Sequence, residues 1–349
     1  MDNQLFQQPV RFQPLFRPYI WGGRNLETSL QKPIPLEGVW AESWEIVDHG
    51  ADQSIVVGDI ASEGLTTQSS DPKSAVSSLA GKSLRQLIEM APESVLGVGA
   101  DSQSKFPLLL KYLDCQRVLS IQVHPNDAYG TKMFPPDLGK TEAWYIVDAS
   151  DDALIYAGLK TGVDRSALVQ AIADGRIESC LHSFHPNRGD CVFIPAGTVH
   201  ALGAGLIVAE IQQASDTTFR LYDWSRVGAD GAPRPLHIDQ ALDVINFDSG
   251  PISTVVPKPT SHPGRTNLVT CDRFVLDKVT EDVQELSLNG QFAIATVVQG
   301  NATIENGNSP CQSFKLSLGQ SVLLPAAISA INISMAPNSI LLLATPPIR

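Results

Sequence analysis

The segment QVHP at 122–125 sets an amide, an imidazole and a turn residue side by side. In a strand, residues two apart face the same way. Val118, Ser120, Gln122 and His124 therefore share one face, and Leu119, Ile121 and Val123 share the other. The second face is purely apolar and belongs against a core. The first carries three polar groups in a row. Glu142 opens the later segment EAWYIV, and His200 follows the turn PAG. Taken singly, each of these has a bland explanation as a surface group or a satisfied core histidine. Together, Gln122, His124, Glu142 and His200 offer two imidazoles, a carboxylate and an amide oxygen. That donor set suits a borderline divalent cation, zinc above all, and leaves a coordination position for water or substrate. A site without thiolate and with an open position reads as catalytic.

Other charged residues gather around the same segments. GKTE (139–142) sets Lys140 two residues before Glu142, and EIQQASDTTFRLYDW (210–224) holds Glu210 and Arg220. Lys111 lies in the segment before Gln122, across the short Asp114–Cys115–Gln116 connection. Its bland alternative is a lysine stretched along the surface. For Arg220 the alternative is a surface pair with Asp216 or Asp223, worth about 0–1 kcal/mol.

Short strands must hold these groups. SWEIV (43–47), PLLLKYL (107–113), RVLSIQVH (117–124), EAWYIV (142–147), DCVFIPA (190–196), LIVAEIQQ (206–213) and FRLYDW (219–224) are apolar or alternating runs. Gly, Pro, Asn and Asp punctuate them, which predicts an antiparallel sandwich or barrel. Helical periodicity is confined to three places. SLRQLIEMA (83–91) has Ser83 as its N-cap, DRSALVQAIADG (164–175) starts at Asp164 and stops at Gly175, and HIDQALDVI spans 237–245.

Two stretches align without gaps, GDCVFIPAGTVHAL (189–202) and GQSVLLPAAISAIN (319–332). Each has Gly, two variable residues, three apolar residues and Pro-Ala, the trace of a duplicated unit. The alignment pairs His200 with Ala330, so the second copy is expected to bind no metal. The Pro-, Ser- and Gly-rich stretch 248–265 reads as a linker. The expected fold is all-β, two jelly-roll β-sandwich units with a few short helices. The expected boundaries are a catalytic domain over 1–250, a linker over 251–265 and a metal-free sandwich over 266–349.

The chain has 349 residues, enough to bury a large core without disulfides, and a net charge of −12. Such a surface repels phosphate backbones and anionic lipid, so no nucleic-acid or membrane partner is expected. No run approaches the ~18 apolar residues of a membrane span, and the first dozen residues show no signal-peptide pattern. Five scattered cysteines (115, 180, 191, 271, 311) without a CxxC indicate free thiols in a reducing cytoplasm.

The segments WGG (21–23), ESWEI (42–46), FPLLLKYLD (106–114), VLSIQVHP (118–125), GKTE (139–142), PAGTVHAL (195–202) and EIQQASDTTFRLYDW (210–224) resemble type I mannose-6-phosphate isomerases, in order and in approximate spacing. The likeness covers most of residues 15–247 and is weak beyond. It implies a cupin fold and one zinc ion held by Gln122, His124, Glu142 and His200. It implies substrate-binding roles for Lys111, Ser120, Lys140 and Arg220, and catalytic roles for Arg220, Glu210 and Lys140. Only 57 residues lie between Glu142 and His200, too few for the large helical insertion of longer relatives. The chain resembles the short bacterial form.

Exchanging an aldose for a ketose moves a proton between C1 and C2 through an enediolate. A Lewis acid stabilises the developing charge, a base carries the proton, and cations seat the 6-phosphate. The base is left open among Glu210, metal-bound hydroxide, His49 and Lys140. The expected partner is a small sugar phosphate, and the expected assembly a monomer or weak homodimer. Rival readings are a non-catalytic sugar-phosphate-binding cupin and a metal cupin isomerase acting on another sugar.

Overall fold

The computed structural model describes residues 5–58, 78–228, 231–307 and 313–347. Two β-sandwich units emerge, and they are interleaved along the chain. One contains residues 16–44 and 108–256; the other contains 1–15, 45–107 and 257–349. This departs from the expected unbroken catalytic domain over 1–250. The reason is pairing at long range within the second of these units. Val10 N donates to Leu323 O (2.8 Å) and Leu323 N returns a bond to Val10 O (2.9 Å). Ala326 N and Ala327 N donate to the carbonyls of Val95 and Ser94, and the rings of Phe106 and Phe292 lie 4.6 Å apart.

The expected linker divides as well. Ile252 N and Val255 N bond to Ala157 O and Cys191 O, in the unit that holds residues 108–256. Lys258–Pro259 is a short strand paired with Thr266 and Asn267, in the other unit. Cys311 lies outside the described residues. Cys115, Cys180 and Cys271 are free thiols.

In the unit built on residues 108–256, a six-stranded sheet runs in the order Cys191–Ile194, Glu142–Ala149, Leu206–Gln213, Leu108–Cys115, Glu42–Ile46, Leu15–Arg17. A five-stranded sheet runs Leu181–Phe184, Ile155–Leu159, His200–Leu202, Ile121–Val123, Phe219–Tyr222. Trp144, Ile146, Val192, Val208, Ile155 and Leu202 belong to one apolar core of this unit. A second core joins Ile121, Val123 and Leu221 of the smaller sheet to Leu168 and Leu242 of the helices Arg165–Ala173 and Ile238–Val244. The strand expected over 117–124 shrinks to Ile121–Val123, but its alternation holds, with Ile121 and Val123 fully buried.

The three expected helices are present. Ser83 Oγ accepts from Gln86 N and Gln86 Oε1 accepts from Ser83 N, a reciprocal cap on Leu84–Met90. Asp164 caps Arg165–Ala173 through Ala167 N (2.8 Å), and Gly175 ends that segment at φ +66°. One-turn helices at Asn25–Thr28, Pro92–Leu96 and Asp127–Gly130 were not expected. They are too short to show an apolar period.

The other unit repeats the plan. Its six-stranded sheet, read from Ser321–Leu324, continues Ala293–Gln299, Ile340–Thr345, Val275–Val279, Arg265–Thr270, Lys258–Pro259. Its second sheet, read from Ser313–Ser317, continues Asn301–Asn306, Ala330–Met335, Val283–Ser287. Both runs match the first unit strand for strand; among the described residues only Phe219–Tyr222 lacks a counterpart. Details repeat too. Gly189 (φ +90°) donates to Ile146 O and Gly319 (φ +77°) donates to Val297 O, each at 2.8 Å. Both conformations suit glycine.

Candidate active site

Strand register brings the chemistry together. In the larger sheet Glu210 stands between Lys111 and Trp144. In the smaller sheet Gln122 stands between His200 and Arg220. All six residues, one row from each sheet, line one cavity of about 390 Å³. Tyr19, Glu42, Ser120, Lys140, Glu142, Asp216, Thr218 and Arg234 complete its polar wall.

At one side, His124, Glu142 and His200 each bring a ligand-type atom within 4.8 Å of the others. His124 Nε2 lies 3.3 Å from Glu142 Oε1, and His200 Nε2 lies 3.8 Å from Glu142 Oε2. The tautomers follow from the opposite ring nitrogens. His124 Nδ1 bonds to Thr217 O and His200 Nδ1 to Thr198 O, each at 2.9 Å. A carbonyl only accepts, so each Nδ1 carries the proton and each Nε2 presents a lone pair. His124 Nε2 is buried without a hydrogen-bond partner among the described residues. Two imidazole lone pairs and a carboxylate converge where each residue is no more than 2% exposed. Acceptors so arranged require a cation, and this donor set fits a divalent metal.

Gln122 adjoins the cluster with its amide the other way round. Its Nε2 lies 3.4 Å from His200 Nε2, and its Oε1 accepts from Ser120 Oγ at 3.1 Å. A half-turn of the amide exchanges the two ends and turns the oxygen towards the cluster.

The cations are distributed unequally. Lys140 Nζ is 2.9 Å from Glu142 Oε1. Lys111 Nζ lies 3.5 Å from Glu210 and 3.7 Å from Glu42, whose Oε2 also accepts from Trp44 Nε1 at 2.6 Å. Burial works against the Lys111 charge, but Glu210 and Glu42 outweigh it and hold its pKa above the ordinary lysine value. Burial also opposes the Glu142 charge; Lys140 overcomes it and keeps that carboxyl well below its usual range. Glu210 is pushed well above its usual range, by burial first and then by Glu142, with Lys111 opposing. Burial, then Lys140, depresses the His124 pKa to about 3.

Arg220 Nε donates to Ser120 Oγ (3.2 Å) and Nη1 to Pro235 O (3.0 Å). It is not the partner of Asp223, which is gripped by Arg226 and by both Nε and Nη2 of Arg234. Burial and then the neighbouring Arg234 lower the Arg220 pKa. Two guanidiniums held beside one cavity make a seat for an anion.

Every expected site residue except His124 lines this cavity, and His124 reaches it through Glu142. His49 belongs to the other unit, in the strand Asp48–His49, and does not line it. Tyr19, Glu42, Trp144, Asp216, Thr218 and Arg234 were not singled out from the sequence. A carboxylate inside the buried run Glu42–Ile46 was the available signal for Glu42.

Residues 10–148 match the family model for the catalytic domain of type I phosphomannose isomerase. Mannose-6-phosphate isomerase ManA of Bacillus subtilis (strain 168) is 32% identical over 320 residues, 91% of this chain and 93% of that one. The mannose-6-phosphate isomerase of Streptococcus mutans is 31% identical over 327 residues, 93% and 94% of the two chains. The chain belongs to the type I mannose-6-phosphate isomerase family. The crystal structure of the Bacillus subtilis mannose 6-phosphate isomerase superposes with a TM-score of 0.82 at 30% identity, covering 97% of this chain and 99% of that one. The two sandwiches are thus the cupin fold of this family, and the chain is an isomerase. The matched stretch 10–148 spans Lys111, Ser120, Gln122, His124, Lys140 and Glu142; His200, Glu210 and Arg220 come from the strands that follow it. Among the described residues, no helix is long and apolar enough to cross a membrane.

Proposed function

We propose that this cavity interconverts mannose 6-phosphate and fructose 6-phosphate, with one zinc ion held by Gln122, His124, Glu142 and His200. The observation that carries the reading is the convergence of two Nε2 lone pairs and the Glu142 carboxylate beside a cavity of about 390 Å³ lined by Lys111, Arg220 and Arg234. The names of the relatives support the substrate. When bound, zinc supplies Lewis acidity towards the sugar oxygens on C1 and C2.

The chain's own residues do the rest. Arg220, with Ser120 and the lysines, binds the anionic substrate and the negative charge that develops on the enediolate. Glu210, raised by burial, is placed to carry the proton between C1 and C2, since a carboxyl raised towards neutrality both takes and returns one. Lys111 stays charged beside it and steadies its ionised form. Lys140 neutralises Glu142 and faces the same cavity. The free thiols Cys115, Cys180 and Cys271 support a cytoplasmic setting.

The test is a coupled assay of mannose 6-phosphate conversion before and after chelation, with zinc restored last. Activity that survives complete removal of the metal overturns the zinc assignment. A panel of glucose 6-phosphate and unphosphorylated sugars that outperforms mannose 6-phosphate overturns the substrate.

A further inference from the structure

His124 depends on a turn from a distant part of the chain. Its Nδ1 donates to the Thr217 carbonyl at 2.9 Å. One oxygen of Asp137 holds that turn: Oδ2 accepts from Ser215 Oγ (2.8 Å) and from Thr217 Oγ1 (2.7 Å). The other oxygen, Oδ1, accepts from Leu138 N at 2.8 Å. Asp137 sits in the loop between His124 and Glu142, so one carboxylate ties the loop that joins two cluster residues to the turn that orients the first. Alternation divides the turn. Ser215 and Thr217 grip Asp137, while Asp216 and Thr218 line the cavity.

We propose that Asp137 is a positioning residue of the metal centre: by fixing the Thr217 carbonyl it locks His124 in the Nδ1–H tautomer, with the Nε2 lone pair aimed at Glu142. Hydrogen-bond partners of this kind set ligand tautomer and basicity, and their loss typically weakens metal binding by roughly 10–100-fold. The inference rests on the zinc reading above, but its tautomer arm does not need the metal.

The full-length protein is examined in two ways. Zinc affinity is measured by titration against a competing chelator. The His124 tautomer is read from the ring ¹⁵N signals of the metal-stripped protein. Asp137→Ala is expected to weaken zinc binding by roughly 10–100-fold and to move His124 from one tautomer to a mixture. Ser215→Ala/Thr217→Val, which keeps the backbone carbonyl, is expected to do the same, and adding Asp137→Ala to it to change nothing further. Affinity within twofold of wild type overturns the proposal. So does weakened affinity with unchanged His124 signals, which is what a purely structural carboxylate would give. If Asp137→Ala does not fold, the Ser215/Thr217 variant decides by the same two readings. A wild-type protein that takes up no zinc defeats the zinc reading instead, and the ¹⁵N signals still judge Asp137.

Discussion

Replacing Arg220 by alanine separates two jobs that one guanidinium can do. Arg220 spends Nε on Ser120 and Nη1 on the Pro235 carbonyl, and its side chain lines the cavity. Asp223 is satisfied by Arg226 and Arg234, so removing Arg220 leaves no buried carboxylate bare. The cost should therefore fall on the reaction, with little change in melting temperature. If Arg220 held substrate and transition state equally, KM would rise and kcat would be spared. If it meets charge that develops on the enediolate, kcat falls with little change in KM. The second is expected, with a loss of roughly 3–4 kcal/mol in kcat/KM, the size of one removed oxyanion donor. At about 1.4 kcal/mol per tenfold, that is a drop of some hundredfold to a thousandfold. Arg220→Lys should recover only part of it, because an ammonium cannot reproduce the planar fork that reaches Ser120 and the substrate together. The assay is steady-state turnover of mannose 6-phosphate with zinc saturating, beside thermal unfolding. A variant with near-normal kcat/KM would show that Arg220 is only a surface cation.

Other consequences are as sharp. His200→Ala should abolish stoichiometric zinc while leaving unfolding cooperative, because the apolar cores do not depend on the metal; full occupancy by elemental analysis would refute the ligand set. The same analysis on wild type should find one zinc per chain, and a second tight ion surviving His124→Ala/His200→Ala would refute a metal-free second sandwich. Asp223 is opposed by burial but held below its usual pKa by Arg234 and Arg226, so its stabilisation is present above pH ~4 and lost as pH falls further. Asp223→Asn should cost about 2 kcal/mol at pH 7, less than a fully buried pair because the arginines are partly exposed; an equal deficit at pH 3 would contradict this. Gly158 has φ +79°, and a Cβ there would stand 2.1 Å from the Gly250 carbonyl oxygen. Gly158→Ala should lose at least 2 kcal/mol in denaturant unfolding, and a neutral effect would contradict the backbone approach.

The convergence of the candidate cluster was legible because strand geometry is. A two-residue period was enough to put Ser120, Gln122 and His124 on one face and Ile121 and Val123 in the core. The capped helices were legible for a similar reason, since Ser83 and Asp164 announce them locally. The interleaving of the two units was not. Nothing near Val10 signals that its partner is Leu323, because a bond across more than three hundred residues leaves no local pattern. Arg234 and Asp137 were hidden in the same way. Each acts from a loop, through Asp223 or the 215–217 turn, and loops carry no period from which a direction can be read.

Among the described residues only the first sandwich gathers a His/Glu/His cluster, and the duplication shows what stands in its place in the second. Strand register places Ile331 opposite Leu286, both in the interior, as it places His200 opposite Gln122. It sets Ala293 opposite Leu324 as it sets Glu142 opposite Ile194. Two residues beyond Leu286, where His124 follows Gln122, stands the buried Leu288. The four positions proposed to hold metal in the first sandwich thus read Leu286, Leu288, Ala293 and Ile331 in the second, one residue on from the Ala330 that the sequence alignment pairs with His200. Carrying the register one strand further puts Leu343 where Glu210 stands. Leu343 and Ala293 belong to an apolar core with Leu286, Leu288 and Ile331. A buried carboxylate costs several kcal/mol unless a cation or a network repays it. With isoleucine at 331 and leucine at 286 and 288, glutamates at 293 or 343 would be unpaired charges in that core. Alanine and leucine remove that cost, and the second sandwich turns into packing the interior space that the first keeps open.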